Sequence, residues 1–81
     1  MSARTLQHPD PDATVDSRGK LCPVPVIELA RAARKLGKGV IEVFADDPAA
    51  ETDIPAWCRM RHVELVSVEN QGKATRYIVR V

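Results

Sequence analysis

Aromatic residues are nearly absent from this 81-residue chain: one Phe, one Tyr and one Trp make up 4% of it. A domain of this size buries only about 60% of the surface that its unfolded chain exposes, so Val, Ile, Leu and Ala must fill the core. An excess of one charge is missing too. Twelve Lys and Arg stand against eleven Asp and Glu, a formal net charge of +1. With no basic block either, the chain does not read as a direct nucleic-acid binder. No apolar run approaches the roughly 18 residues of a membrane helix. The opening MSARTLQHPDPDA lacks the apolar stretch of a signal peptide, so a cytoplasmic protein is expected. Two cysteines are too few for a disulfide framework. In a reducing compartment each is either buried filler or chemistry. No GxGxxG, P-loop, HExxH or Ser-His-Asp arrangement occurs, and no cofactor is expected.

What is present is a single alternation of strand and helix patterns. Residues 1–12, with two of the prolines and no periodicity, read as a flexible N-terminal arm. Residues 13–81 read as one domain. A strand is expected near 13–17. A helix follows near 24–36, where Val26, Leu29, Ala30, Ala33 and Leu36 form one stripe, Pro25 sits in the first turn and Gly37 stops it. VIEVFA predicts a central strand at 40–45. A second helix near 48–61 begins with Asp47 as cap and Pro48 behind it, and Pro55 inside it predicts a kink or a tightened turn. Strands near 63–69 and 74–81 flank a hairpin turn at Asn70-Gln71-Gly72-Lys73. The order βαβαββ predicts an α/β (α+β) two-layer sandwich, a mixed four-stranded sheet with two helices on one face.

The stretch that carries chemistry is Arg18-Gly19-Lys20-Leu21-Cys22-Pro23-Val24-Pro25. It sets a thiol at the start of a helix, where the dipole favours a thiolate, and Arg18 and Lys20 add positive potential. Pro23 and Pro25 stiffen the chain on either side of Val24, and hold the sulfur on a rigid spur. An exposed or half-exposed thiol is expected, titrating below the ordinary value of about 8.5. The plainer alternative is a small buried hydrophobe in a loop. Cys58 falls on the apolar side of the second helix, beside Ile54 and Trp57, and reads as filler or as a resolving thiol for Cys22. Cys22, Cys58, His8 and His62 offer metal donors without a CxxC or HxxxH pair, so no metal is expected. Asp46-Asp47 read as a helix cap rather than as paired catalytic carboxylates. Arg31, Arg34 and Lys35 read as a solvated face or a docking patch.

DSRGKLCPVP, ADDPAAETDIPAWC and the closing RYIVRV resemble the TusA (SirA-like) family of sulfur carriers, from about Ala13 to Val81. The resemblance implies the same βαβαββ sandwich, and it implies that Cys22 carries a persulfide. The sulfur would come from a cysteine desulfurase or another donor protein and pass to a downstream protein. In the best-known branch it ends in tRNA 2-thiouridine; other branches serve sulfur oxidation, molybdenum-cofactor enzymes or selenium metabolism. Val24 stands where the tRNA-thiolating branch often has Glu. Asp47 and Met60 resemble the family's partner-contact positions. A carrier that visits several partners is expected to be a monomer. Two other readings stand beside this one: a regulatory adaptor that uses the same fold for docking, and a thiol-redox protein using both cysteines.

Overall fold

Short apolar strands and two amphipathic helices assemble in the order β1 (Ala13–Ser17), α1 (Val24–Leu36), β2 (Val40–Ala45), α2 (Ala50–Arg61), β3 (Glu64–Gln71) and β4 (Ala74–Arg80). The computed structural model describes residues 10–81. The four strands form one sheet in the order β1-β2-β4-β3. β1 runs parallel to β2, and β4 is antiparallel to both of its neighbours. β1, β2 and β3 therefore share one direction. Both strand-helix-strand crossovers step the same way across the sheet, so right-handed connections bring both helices to one face.

The register explains the core. Val15 and Ser17 of β1, Ile41, Val43 and Ala45 of β2, and Tyr77 and Val79 of β4 lie on the helix-covered face and are buried. Leu29 from α1 and Ala50, Ile54, Trp57 and Cys58 from α2 close over them. The opposite face is a ladder of charge. The Arg76 guanidinium donates to Glu42 at 2.6 Å and to Glu69 at 3.2 Å, and Arg80 reaches Glu64 at 3.1 Å. Cross-strand pairs of opposite charge suit a face that no second layer covers.

Four boundaries differ from the sequence expectation, the slightest being the end of β4 at Arg80. α2 starts at Ala50, not near 48, because the chain enters it through tight turns. The amides of Ala50, Glu51 and Thr52 donate to the carbonyls of Asp47, Pro48 and Ala49, each three residues back. α2 then passes through Pro55 as one helix. His62, at φ 56°, takes the left-handed position after the helix, and the Val63 amide returns to the Cys58 carbonyl at 3.0 Å. β3 accordingly begins only at Glu64, but it runs on to Gln71. The hairpin turn shrinks to Gly72 and Lys73, with Gly72 at φ 77°.

Most of the expected arm, residues 1–9, lies outside the described residues. The chain is tied down from Asp12. Its amide donates to the Val40 carbonyl at 2.7 Å, and its carboxylate accepts from the Val40 amide at 2.9 Å. Gly39 makes room for this clamp, since a Cβ there would lie 2.5 Å from the Asp12 carboxylate. Among the described residues, no helix is long and apolar enough to cross a membrane.

Candidate functional site

Cys22 sits beyond the carboxyl ends of β1 and β2, the end at which open α/β sheets place their sites. Two adjacent carboxylates hold its loop. Asp46 accepts from the Gly19 amide with both oxygens, at 2.9 and 3.0 Å. Asp47 accepts from the Cys22 amide at 2.6 Å and from the Ala49 amide at 3.2 Å. One side chain therefore braces both the thiol loop and the lead-in to α2. Asp47 is not the formal cap of α2, which is Ala49, but it does satisfy an amide of the entering turn. On the far side of the thiol, Pro23 follows a cis peptide bond, Val24 donates to the Leu21 carbonyl and Pro25 is buried at the foot of α1. Cys22 is half-buried and packs at the edge of the core, not on an exposed spur.

The electrostatics of the thiol contradict the sequence expectation. Arg18 is engaged by Asp16, with nitrogen–oxygen distances of 2.9 and 2.8 Å, and its guanidinium lies 5.7 Å over the Phe44 ring. That pair holds the Asp16 carboxyl down at about 2. Lys20 donates to Glu28 at 2.9 Å, and Glu28 also accepts from the buried Ser17 hydroxyl. Neither cation serves the sulfur. The helix start does not serve it either: Pro23 and Pro25 have no amide hydrogen, the amides of Val24 and Ile27 bond backbone carbonyls, and no backbone amide among the described residues acts on the thiol. Cys22 instead loses hydration, donates a hydrogen bond to the Asp53 carboxylate and feels the charges of Asp53 and Asp47. Its thiol is pushed up to about 11 rather than down.

An apolar rim surrounds this loop. Leu21 is 73% exposed and Met60 is 69% exposed; Val24 and Ile27 also face outward. Between the helices, Pro23, Val26, Asp53, Ala56, Trp57 and Met60 line a shallow groove of about 310 Å³. Met60 is thus on the thiol side of the molecule, as is Asp47. Nothing in the sequence pattern singles out Asp53, which looks like an ordinary acidic residue of a helix's first turn; its place opposite the thiol is set by how α2 packs on α1. A larger hollow of about 480 Å³ lies at the other end of α1, around Asp12, Lys35 and Leu36, and neither cysteine lines it. Arg31, Arg34 and Lys35 are solvent-exposed on α1. Cys58 is buried at 2% exposure, and burial pushes its thiol up. Among the described residues, no cluster of His, Cys, Asp or Glu could hold a metal ion.

The family model described as sulfurtransferase TusA matches residues 13–81. A solved structure, a SirA-like protein from Desulfitobacterium hafniense, superposes with a TM-score of 0.77 at 22% identity, over 85% of this chain and 96% of that one. That likeness shows the two-layer fold. The family match covers most of the chain, and the chain belongs to the TusA family, whose general role is to carry sulfur between proteins.

Proposed function

We propose that this TusA-family chain carries sulfane sulfur on Cys22, accepts it from a cysteine desulfurase or another sulfurtransferase, and relays it to a downstream protein. The observation that carries the reading is the placement of Cys22: a half-buried thiol on a loop fixed through its own amide by Asp47, inside an apolar rim. Such a thiol has no enclosed pocket for a small substrate, but it is well placed to enter another protein's site. In loading, the Cys22 sulfur gives up its proton and attacks the outer sulfur of the donor's persulfide. The donor's sulfur–sulfur bond breaks, Cys22 becomes the persulfide and the donor leaves as a thiol. Relay repeats the exchange with the acceptor as nucleophile.

The high thiol value fits a carrier that rests uncharged and inert until a partner covers it. The family resemblance suggests tRNA 2-thiouridine synthesis as the downstream process. Val24 between the two prolines replaces a charge at the docking rim, so acceptor identity is best read by assay. The monomer expected of a mobile carrier is checked by sedimentation.

The test is intact mass after incubation with a cysteine desulfurase and cysteine. The wild type should gain one sulfur atom and Cys22→Ser should gain none. Retained biological function in Cys22→Ser would establish the adaptor reading instead. A second outcome follows from the rim. Met60→Asp should slow transfer from the desulfurase about tenfold or more, as loss of an interface anchor does. Its melting temperature and its reaction with small thiol reagents should match the wild type, because Met60 is 69% exposed.

A further inference from the structure

Behind Cys22 lies a buried hydroxyl without a partner. Tyr77 is 1% exposed, and its hydroxyl is the buried side-chain polar atom that makes no hydrogen bond among the described residues. A buried donor left unmade is costly, and Phe would fill the same space without that cost. Tyr77 stands on the helix-covered face of β4, opposite Val43. The next pair toward the thiol is Thr75 and Ala45, and from Ala45 the chain leads into Asp46 and Asp47, which hold the Cys22 loop. Cys22 packs against the cluster that contains Tyr77. The charges of Glu51 and of an ionised Cys22 both act on the phenol and, after burial, keep it protonated, so it remains a donor. Thr75 is near enough to affect its ionisation without making the bond.

Most donors around the sulfur are committed, the Val26 amide at the start of α1 excepted. The amides of Gly19, Cys22, Val24 and Ile27 are bonded to carboxylates or carbonyls. Arg18 and Lys20 are paired with Asp16 and Glu28. The groups that face the sulfur from α2 and from the turn before it, Asp53 and Asp47, are acceptors that oppose negative charge, and the charge of Glu51 acts on the phenol. Yet carrier chemistry puts negative charge on this sulfur twice. On loading, the sulfur must lose its proton. On release, a nucleophile attacks the outer sulfur, the sulfur–sulfur bond breaks and the electron pair returns to the Cys22 sulfur, which is then protonated from solvent.

We infer that the Tyr77 hydroxyl donates a hydrogen bond to the Cys22 sulfur whenever that atom is anionic, so that Tyr77 is a working residue of sulfur loading and release. The assignment rests on Cys22 being the sulfur-bearing residue. In the resting state the hydroxyl lies outside hydrogen-bond geometry, and a neutral thiol, a weak acceptor, does not draw it in as an anionic sulfur does.

The test compares Tyr77→Phe with its parent in a Cys58→Ala background, in which Cys22 is the only thiol. Cys22 is converted to the mixed disulfide with thiopyridine and treated with sulfide, which yields the persulfide and free thiopyridine without any donor protein. Cyanide then removes the outer sulfur as thiocyanate and leaves the Cys22 thiol. In Tyr77→Phe, thiocyanate release should be about tenfold slower or more, the effect of one hydrogen bond to a charged group. The pH midpoint of iodoacetamide alkylation should rise by about half a unit or more. The melting temperature should stay level or rise. Equal release rates and equal midpoints would overturn the assignment. So would a clear fall in melting temperature, which would mean that the hydroxyl already has a partner in the folded chain. Because the loading is chemical, failure of a desulfurase to charge Cys22 would count against the carrier reading alone.

Discussion

At pH 8, Cys22 should exchange with a small neutral disulfide about tenfold more slowly than a cysteine in an unstructured peptide. The thiol moves from an ordinary 9.0 to about 11 through burial, the hydrogen bond to Asp53 and the charges of Asp53 and Asp47. Two units lower the thiolate fraction about a hundredfold, and the greater nucleophilicity of a more basic thiolate recovers about tenfold of that. The rate should keep rising with pH past 9, where a free cysteine has begun to level off. Asp53→Asn removes both the acceptor and the charge, so its reaction at pH 8 should be severalfold faster than that of the wild type. A wild-type profile that levels off below 8.5 would restore the helix dipole as the governing influence. The linkage to stability has a definite sign. The folded value lies above the unfolded one, so the folded chain holds this proton more tightly. Stability is undiminished below about pH 8.5 and falls as pH rises from there toward the folded value.

Leu29→Ala should cost about 2–5 kcal/mol. Leu29 is 0% exposed, in the middle of the helix that packs on both β1 and β2. Domains of this size hold only about 0.05–0.15 kcal/mol per residue in total. The deletion therefore removes a large part of the stability, and the melting temperature should drop by about 10–20 °C or more, at about 4–8 °C per kcal/mol. With one residue each of Phe, Trp and Tyr, the core has little bulk to collapse into the gap. Leu21→Ala is the contrast. Leu21 is 73% exposed, and its loss should change stability by less than about 0.5 kcal/mol while weakening the apolar rim around the thiol. Thermal melts of the two variants side by side measure how far the small aliphatic core carries the fold.

Much of the architecture was legible because its signals are local. The stripe from Val26 to Leu36 and the stop at Gly37 gave α1 to within a residue. The largely apolar run VIEVFA gave β2 with its exact bounds, and that character matched its place between two neighbours. The end of α2 at Arg61 matched the expected bound, but the form of its cap was not legible. His62 takes a left-handed conformation that usually marks glycine or asparagine, so nothing in its residue type announced a cap. The start of α2 was displaced because Asp47 braces the Cys22 amide as well as its own turn, a second duty for which local capping patterns carry no sign.

The sequence by itself determined the element order, the two-layer class, the family and the position of the thiol between a turn and a proline-stiffened helix start. These follow from periodicity, turn chemistry and a contiguous motif, all of which act over a few neighbouring residues. Only the tertiary structure decided that β4 lies between β2 and β3, since strand order depends on which edges meet after the chain has crossed the sheet. It also decided the character of the sulfur. Arg18 and Lys20 are close to Cys22 in sequence, but their charge is taken by Asp16 and Glu28. Asp47 and Asp53 are 25 and 31 positions further along the chain, and packing of α2 against α1 sets them around the thiol. The field at an atom follows distance in space, and so the thiol that the sequence made look acidic is held neutral in the fold.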